Sequence, residues 1–207
     1  MACFPFFVDL KGVPGLVIGG GRVALGKVER LLPFGPRLTV TAPAILPELE
    51  AVPGLTLRRR PFREEDLDGA AFVVAAAGPE TDRRAAALCR ERRIPVNVVD
   101  DREASTFLFP ALLRRGELTV GVSTGGCSPT AAAELRDRFA RCLPDGIEDI
   151  LDYLGSVRPW VRSEVEETAR REAVLRALCR RCLELGRPLT PEETAALVQA
   201  DSGEEEP

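Results

Sequence analysis

The stretch Leu16-Val17-Ile18-Gly19-Gly20-Gly21-Arg22-Val23-Ala24 is the most informative local pattern of this chain. Its apolar run, glycine turn and following amphipathic segment predict a buried strand that leads into a helix from Val23 to Leu32. The glycines fit the pattern G-x-G-x-x-[G/A] of dinucleotide-binding βαβ units: Gly19 permits the tight turn and Gly21 lets the backbone approach a pyrophosphate. The free N–H groups at the start of the helix favour phosphate. The stretch therefore predicts dinucleotide binding rather than a purely structural turn.

The rest of the first half repeats this alternation of strand and helix. Four more apolar or β-branched runs predict strands, and one alanine- and arginine-rich run predicts a helix: strands at 38–41, 55–59, 72–76 and 96–99, and a helix at 82–92. Strands that alternate with helices are typical of a parallel sheet covered on both faces. We therefore predict an α/β, Rossmann-like domain over residues 1–110.

The alternation of predicted strands and helices ends after Asp101. The pattern predicts strands at 106–110 and 118–122, joined across 114–117, and then a helix from Ser128 to about Cys142, because serine is a good N-cap and proline fits the first helical position. Beyond Pro144 the chain is predicted to be helical to Leu185, with a break or kink at Pro159, and again over 191–200. The predicted organisation is a middle segment over 111–144 and a helical C-terminal domain over 145–207 that ends in a frayed acidic tail.

The end of the second strand bears on the choice of cofactor. An aspartate or glutamate there would hold the ribose hydroxyls of NAD, but this strand ends Thr41-Ala42-Pro43-Ala44. Thr41 offers one hydroxyl, and no arginine stands there to bind a 2′-phosphate. These residues favour NAD over NADP.

Two aspartates follow the last strand of the sheet, in Asn97-Val98-Val99-Asp100-Asp101. Ligands of open α/β sheets bind at the carboxyl ends of the strands, and a carboxylate beside a flat apolar substrate can act as a general base. Asp100 is the candidate base, whereas Asp101 is interpreted as a turn or cap residue. Further on, the small residues of Ser123-Thr124-Gly125-Gly126-Cys127-Ser128-Pro129 precede a helix, where they could receive a carboxylate in addition to the capping role of Ser128.

Composition excludes several classes of protein. The net charge of −4 argues against nucleic acid as a partner, and no apolar run reaches the roughly 18 residues that cross a bilayer. The start of the chain lacks the basic region of a signal peptide, and the six cysteines show no close pairing pattern, so we expect reduced thiols and a cytoplasmic location. The chain has no histidine, and Cys179 and Cys182 share an apolar helix face without a second pair, so no metal site is predicted.

Five blocks of this sequence resemble one known family. They are Phe4 to Gly12, Val17 to Ala24 with Lys27 following, Asn97 to Asp100, Phe107 to Ala111, and Ser123 to Pro129. In this order they resemble the precorrin-2 dehydrogenase/sirohydrochlorin ferrochelatase family, the N-terminal module of bifunctional siroheme synthases. The resemblance covers residues 4 to about 145. Beyond them the likeness is one of predicted helical content.

The resemblance implies an NAD-binding Rossmann domain, a middle segment that joins two chains into a homodimer, and a helical C-terminal domain. It implies that Asp100 is essential and that the nucleotide lies over Gly20, Gly21, Arg22, Val23, Pro43 and Ala44. One departure concerns the fourth strand, which often ends Ala-Ala-Thr-Asp in the family and here ends Ala75-Ala76-Ala77-Gly78. A hydroxyl and a carboxylate are thereby missing near the expected nicotinamide.

The reaction implied is the oxidation of precorrin-2 to sirohydrochlorin, with NAD as hydride acceptor and Asp100 as base. The substrate carries eight carboxylates, and the candidate donors for them are Arg102, Arg114, Arg115, Thr124 and Ser128. Insertion of Fe²⁺ into the product is left open. Two alternatives also stay open: an NAD(P) oxidoreductase that acts on another small metabolite, and a non-enzymatic NAD sensor.

Overall fold

The computed structural model describes residues 3–200, so the acidic tail predicted at 201–207 lies outside the described residues. The chain divides between Phe109 and Pro110 into two units, and each is described by itself. In the part of the chain that the structure describes, no helix is both long and apolar enough to cross a membrane.

The first unit is a parallel sheet of five strands in the order β3-β2-β1-β4-β5. The strands are β1 (Pro14–Ile18), β2 (Arg37–Thr41), β3 (Thr56–Arg58), β4 (Phe72–Ala75) and β5 (Val96–Val98). The helices are α1 (Arg22–Leu31), α2 (Pro47–Glu50) and α3 (Pro79–Arg92), with 3-10 turns at Leu32–Phe34 and Glu64–Leu67. The Rossmann-like fold predicted from the sequence is confirmed.

The sheet is buried on both faces because successive side chains of each strand point to opposite sides. Leu16 and Ile18 of β1 pack on the side that α3 covers, in a cluster with Ala85 and Cys89. Val17, between them, packs on the opposite side, in the cluster that contains residues of α1. This alternation explains why β1 has no polar side chain.

The strand order indicates where a ligand-binding crevice lies in the first unit. The chain crosses from β3 at one edge back to β4 beside β1, so the direction of winding reverses between β1 and β4. A crevice forms outside the carboxyl ends of the strands at such a point, and ligands bind there. The glycine turn, Thr41 and the aspartates after β5 all lie at this edge.

The outer edge of β5 is closed by the segment that follows it. The Val96 N–H donates to the Thr106 hydroxyl (2.8 Å) and the Val98 N–H to the Ser105 hydroxyl (2.9 Å). The carbonyls of Val96 and Val98 accept from the Thr106 N–H (2.7 Å) and the Ser105 hydroxyl (3.2 Å). The strand predicted at 106–110 is therefore wrong: this segment covers β5 with side chains and places Phe107 and Phe109 against the core.

The second unit begins with an antiparallel hairpin of β6 (Ala111–Arg115) and β7 (Leu118–Val122). Four helices follow: α4 (Pro129–Cys142), α5 (Ile147–Glu164), α6 (Thr168–Leu185) and α7 (Pro191–Ala200). The helical core contains Cys182 together with residues of α5 and α6, as expected for a packed rather than metal-binding cysteine.

Pro159 lies inside α5, which continues to Glu164, so the predicted break falls after Glu164 instead. Proline removes one helical donor, which leaves the carbonyl four residues earlier without its partner. That residue, Gly155, is exposed, so its carbonyl is open to solvent and the helix continues without that bond.

Candidate active site

The glycine turn is shaped by close contacts between backbones. A Cβ atom on Gly19 would lie 2.3 Å from the Ala76 oxygen, and one on Gly20 would lie 2.1 Å from the Ala44 oxygen. Gly19 also has φ +127°, a conformation that side chains disfavour. The Gly20 carbonyl accepts from the Leu46 N–H at 2.9 Å. The first two glycines are therefore required by the fold, before any ligand is considered.

Gly21 differs from its two neighbours because a Cβ there would meet nothing within 4 Å. It is the N-cap of α1, and no side chain caps this helix. The helix start thus combines open space with uncapped N–H groups, which suits a pyrophosphate. The residues present fit a dinucleotide.

The other predicted cofactor residues surround this opening. Arg22 and Val23 are exposed on the first turn of α1, and Pro43 and Ala44 are exposed on the loop that packs against Gly20. Thr41 is different: only 1% of its surface is exposed, and its hydroxyl has no hydrogen-bond partner among the described residues.

An arginine does lie next to the end of β2, although none was expected there from the sequence. Register pairs Thr41 with Arg58, the last residue of β3. Arg58 and Arg60 bind the fully buried Asp66 carboxylate at 2.5 and 2.6 Å. Although burial opposes ionisation, the bonds from Arg60, the Arg63 N–H and Arg58 lower the pKa of Asp66 to about 2.

Because these two guanidinium groups already hold a carboxylate, their presence does not by itself create a 2′-phosphate site. Linear sequence could not place them, since strand pairing brings Arg58 to Thr41 from 17 residues away.

Asp100 lies on the turn after β5, at the carboxyl edge of the sheet. It is exposed and has φ +58°, a left-handed conformation that is uncommon for residues other than glycine and is tolerated best by aspartate and asparagine. The Asp101 carboxylate instead accepts from the Ala104 N–H at 2.9 Å, in agreement with its interpretation as a turn residue. Arg102 is exposed on the same turn.

Sequence reasoning missed Asp82. Its buried carboxylate accepts from the N–H groups of Ala77 (2.9 Å) and Gly78 (3.1 Å), which form the loop after β4. Burial raises the pKa of Asp82, and the two backbone bonds oppose that rise. The signal was available, because Asp82 stands in the first turn of a helix whose N-cap, Gly78, has no side chain.

Asp82 therefore fixes the loop from which the family threonine and aspartate are missing. Both oxygens of the Asp82 carboxylate are already hydrogen-bonded to backbone N–H groups of that loop.

The predicted substrate residues of the second unit fall into two groups. The Thr124 hydroxyl accepts from the Ser128 N–H (3.1 Å), and the Ser128 hydroxyl caps α4 by accepting from the Ala131 N–H (3.1 Å). Arg114 and Arg115 lie at the other end of the hairpin, beside its turn. The length of β7, about 14 Å from first to last residue, separates the two groups.

No group of three cysteine, aspartate or glutamate side chains that could hold a metal ion is found within residues 3–200.

Comparison with known proteins agrees with this geometry. Residues 6–111 match the sequence model of a family described as "Putative NAD(P)-binding", and residues 115–141 match one described as "Sirohaem biosynthesis protein central". The chain belongs to the first of these families, the one described as "Putative NAD(P)-binding", whose model matches just over half of it. A nicotinamide dinucleotide is thus the class of cofactor that its first unit binds.

Curated relatives include siroheme synthases. That of Thioalkalivibrio sulfidiphilus is 38% identical over 172 residues, which cover 81% of this chain and 35% of the relative. That of Methylococcus capsulatus is 36% identical and covered over 36% of its length. This member of the family therefore spans about a third of the length of these relatives.

One solved structure is similar over almost the whole chain. It is described as "SirC, precorrin-2 dehydrogenase", and it superposes with a TM-score of 0.70 over 97% of this chain and 99% of its own. The identity is 23%, so the likeness establishes the fold.

Proposed function

We propose that this chain is an NAD-dependent precorrin-2 dehydrogenase, which oxidises precorrin-2 to sirohydrochlorin in siroheme biosynthesis. The observation that carries the proposal is Asp100, an exposed carboxylate in a left-handed turn at the carboxyl edge of a dinucleotide-binding sheet. Non-glycine residues in sparsely populated backbone conformations cluster at active sites, and the place of Asp100 at the ligand-binding edge of the sheet agrees with that role. The substrate is taken from the name of the structural neighbour, and the pathway from the names of the siroheme synthase relatives.

In the proposed site Gly19, Gly20 and Gly21 bring the backbone of the turn close to the pyrophosphate, and the N–H groups at the start of α1 bind it. Arg22, Val23, Thr41, Pro43 and Ala44 complete the proposed cofactor site. The bound nicotinamide supplies the hydride acceptor. We prefer NAD to NADP because the arginines beside β2 are held by Asp66.

The reaction removes a hydride and a proton from precorrin-2 and creates one double bond. Asp100 is the proposed acceptor of the proton, which it releases to solvent between turnovers. Arg102, Arg114, Arg115, Thr124 and Ser128 remain the proposed donors to the substrate carboxylates. The Thr124 hydroxyl already bonds to the Ser128 backbone, and the Ser128 hydroxyl already caps α4. We therefore propose that these two residues contact the substrate through their backbone more than through free hydroxyls.

We further propose that the chain forms a homodimer through residues 111–144. Leu135 and Phe139, one turn apart on α4, are 50% and 42% exposed, which is unusual for large apolar side chains that follow one helix face. The six cysteines are free thiols, in keeping with a location in the reducing cytosol.

The experiment that tests the activity is anaerobic mixing of precorrin-2, NAD and enzyme, followed by absorbance. Asp100→Asn keeps the shape of the side chain and removes its basic form, so the rate should fall by about 10²- to 10⁴-fold. Asp101→Asn is the matched control, because its amide oxygen can still accept from Ala104, and its rate should stay within about threefold of the parent.

An Asp100→Asn variant that oxidises precorrin-2 at the parental rate would remove Asp100 from the mechanism. A parent chain that binds NAD but leaves precorrin-2 unchanged would favour the sensor, and turnover of a different metabolite would favour another oxidoreductase. Addition of Fe²⁺ to the finished reaction shows whether the chain also inserts iron.

A further inference from the structure

Lys27 occupies an unusual place for a lysine. Of the 28 basic residues, only Lys11 and Lys27 are lysines. Lys27 lies in the middle of α1 and is partly buried. Its ammonium is 3.3 Å from the Asn97 side-chain oxygen and 4.1 Å from the centre of the Phe109 ring. The Lys27 ammonium therefore makes a hydrogen bond to Asn97 and a cation–π contact with Phe109.

Asn97 links Lys27 to the turn that carries Asp100. It is buried in β5, and its amide donates to the Phe107 carbonyl at 3.0 Å. Asn97 precedes the turn and Phe107 follows it, so their bond closes the base of the segment that carries Asp100. Lys27 holds both ends of this base, through Asn97 on one side and through the Phe109 ring on the other.

Two charged groups act on the Lys27 ammonium. Burial and the charge of Arg30 lower the pKa of Lys27 below the ordinary value of a lysine, and the Asp100 carboxylate opposes this by raising it. The two side chains that the ammonium contacts, Asn97 and Phe109, carry no charge. Asp100 is thus the anion that stabilises the protonated form of Lys27.

We propose that Lys27 is a positioning residue for Asp100. Its charged ammonium holds Asn97 and Phe109 in place at the base of the turn that carries Asp100. The catalytic part of this inference rests on the proposed dehydrogenase function. When the ammonium loses its proton, the cation–π contact and the attraction to Asp100 are lost together. The rate of oxidation should therefore decline on the alkaline side at a lower pH than the ordinary titration of a lysine.

Two variants separate positioning from simple packing. Lys27→Met keeps the aliphatic stem and removes the charge, and we expect kcat to fall about tenfold with the KM for NAD unchanged. Lys27→Arg keeps the charge and does not titrate in this range, so it should restore kcat and abolish the alkaline decline. If Lys27→Arg and the parent lose activity at the same alkaline pH, Lys27 does not set the limit and the proposal is wrong.

A second measurement requires no reaction. Reductive methylation with ¹³C-formaldehyde labels only Lys11, Lys27 and the chain terminus, so the Lys27 signal can be followed by NMR as the pH is raised. Asp100→Asn should lower the pKa of Lys27, because the opposing carboxylate charge is gone. A Lys27 signal that titrates at the same pH in both proteins would overturn the coupling, whatever the enzyme turns over.

Discussion

The two glycine loops of this chain look alike in sequence and differ in structure. Gly19 to Gly21 precede α1, and Gly125 and Gly126 precede α4, each among small residues. At α4 the Ser128 hydroxyl accepts from the Ala131 N–H, and Thr124 accepts from the Ser128 N–H. At α1 the cap is Gly21, which has no side chain to offer.

A glycine-rich sequence before a helix can thus serve either as a cap or as an anion site. A helix whose first N–H groups are bound by its own chain has its cap, and a ligand must compete with it. A helix that begins at a bare glycine, in open space and over a closely packed turn, leaves those donors for an anion. The first loop is accordingly the stronger candidate for a phosphate site, and the second is foremost a structural cap.

The largest effect should come from Gly20→Ala. The added methyl would lie 2.1 Å from the Ala44 oxygen, so the turn or the loop after β2 must move. We expect a loss of about 1–3 kcal/mol of folding free energy and more than a hundredfold weaker NAD binding, since the displaced turn no longer faces the pyrophosphate. Thermal melting and calorimetric titration with NAD measure the two effects.

The same methyl one residue later should act on binding alone. Gly21→Ala meets no atom within 4 Å, so the apo chain should melt within about 2 °C of the parent. NAD affinity should fall about tenfold, because the methyl enters the space kept for the pyrophosphate. Unchanged NAD affinity in Gly21→Ala would show that this opening is not the phosphate site. The first loop would then be no better a candidate for phosphate binding than the second.

The smallest effect is expected at the second loop. Ser128→Ala removes the cap of α4 and should cost about 1 kcal/mol, seen as a melting temperature lower by about 2–4 °C. NAD binding should be unchanged in the same titration. If this variant binds NAD as poorly as Gly21→Ala does, the cofactor reaches the second loop, and both helix starts serve the ligand.

The sequence could predict those parts of the site that are encoded locally. The glycine turn and the strand before it follow from consecutive residues, and the position of Asp100 follows from the strand that ends just ahead of it. Asp101 is likewise a local turn residue, and its bond to Ala104 spans three positions.

Contacts between distant segments could not be predicted in this way. The pairing of β2 with β3 places Arg58 beside Thr41, and a fold-level arrangement places Lys27 against Asn97, 70 residues later. The segment 106–110 was predicted as a strand because it is apolar and β-branched at its start. Its hydroxyls and aromatic rings instead serve β5 and the core, which a propensity cannot reveal.

The covering of β5 by Ser105 and Thr106 has a consequence for the behaviour of the protein at high concentration. An uncovered outer strand is a template on which another polypeptide can continue the sheet, and chains then polymerise edge to edge. Here the outward donors and acceptors of Val96 and Val98 are occupied by two small hydroxyl residues of the same chain. A short polar strap thus replaces the sixth strand that would otherwise invite aggregation.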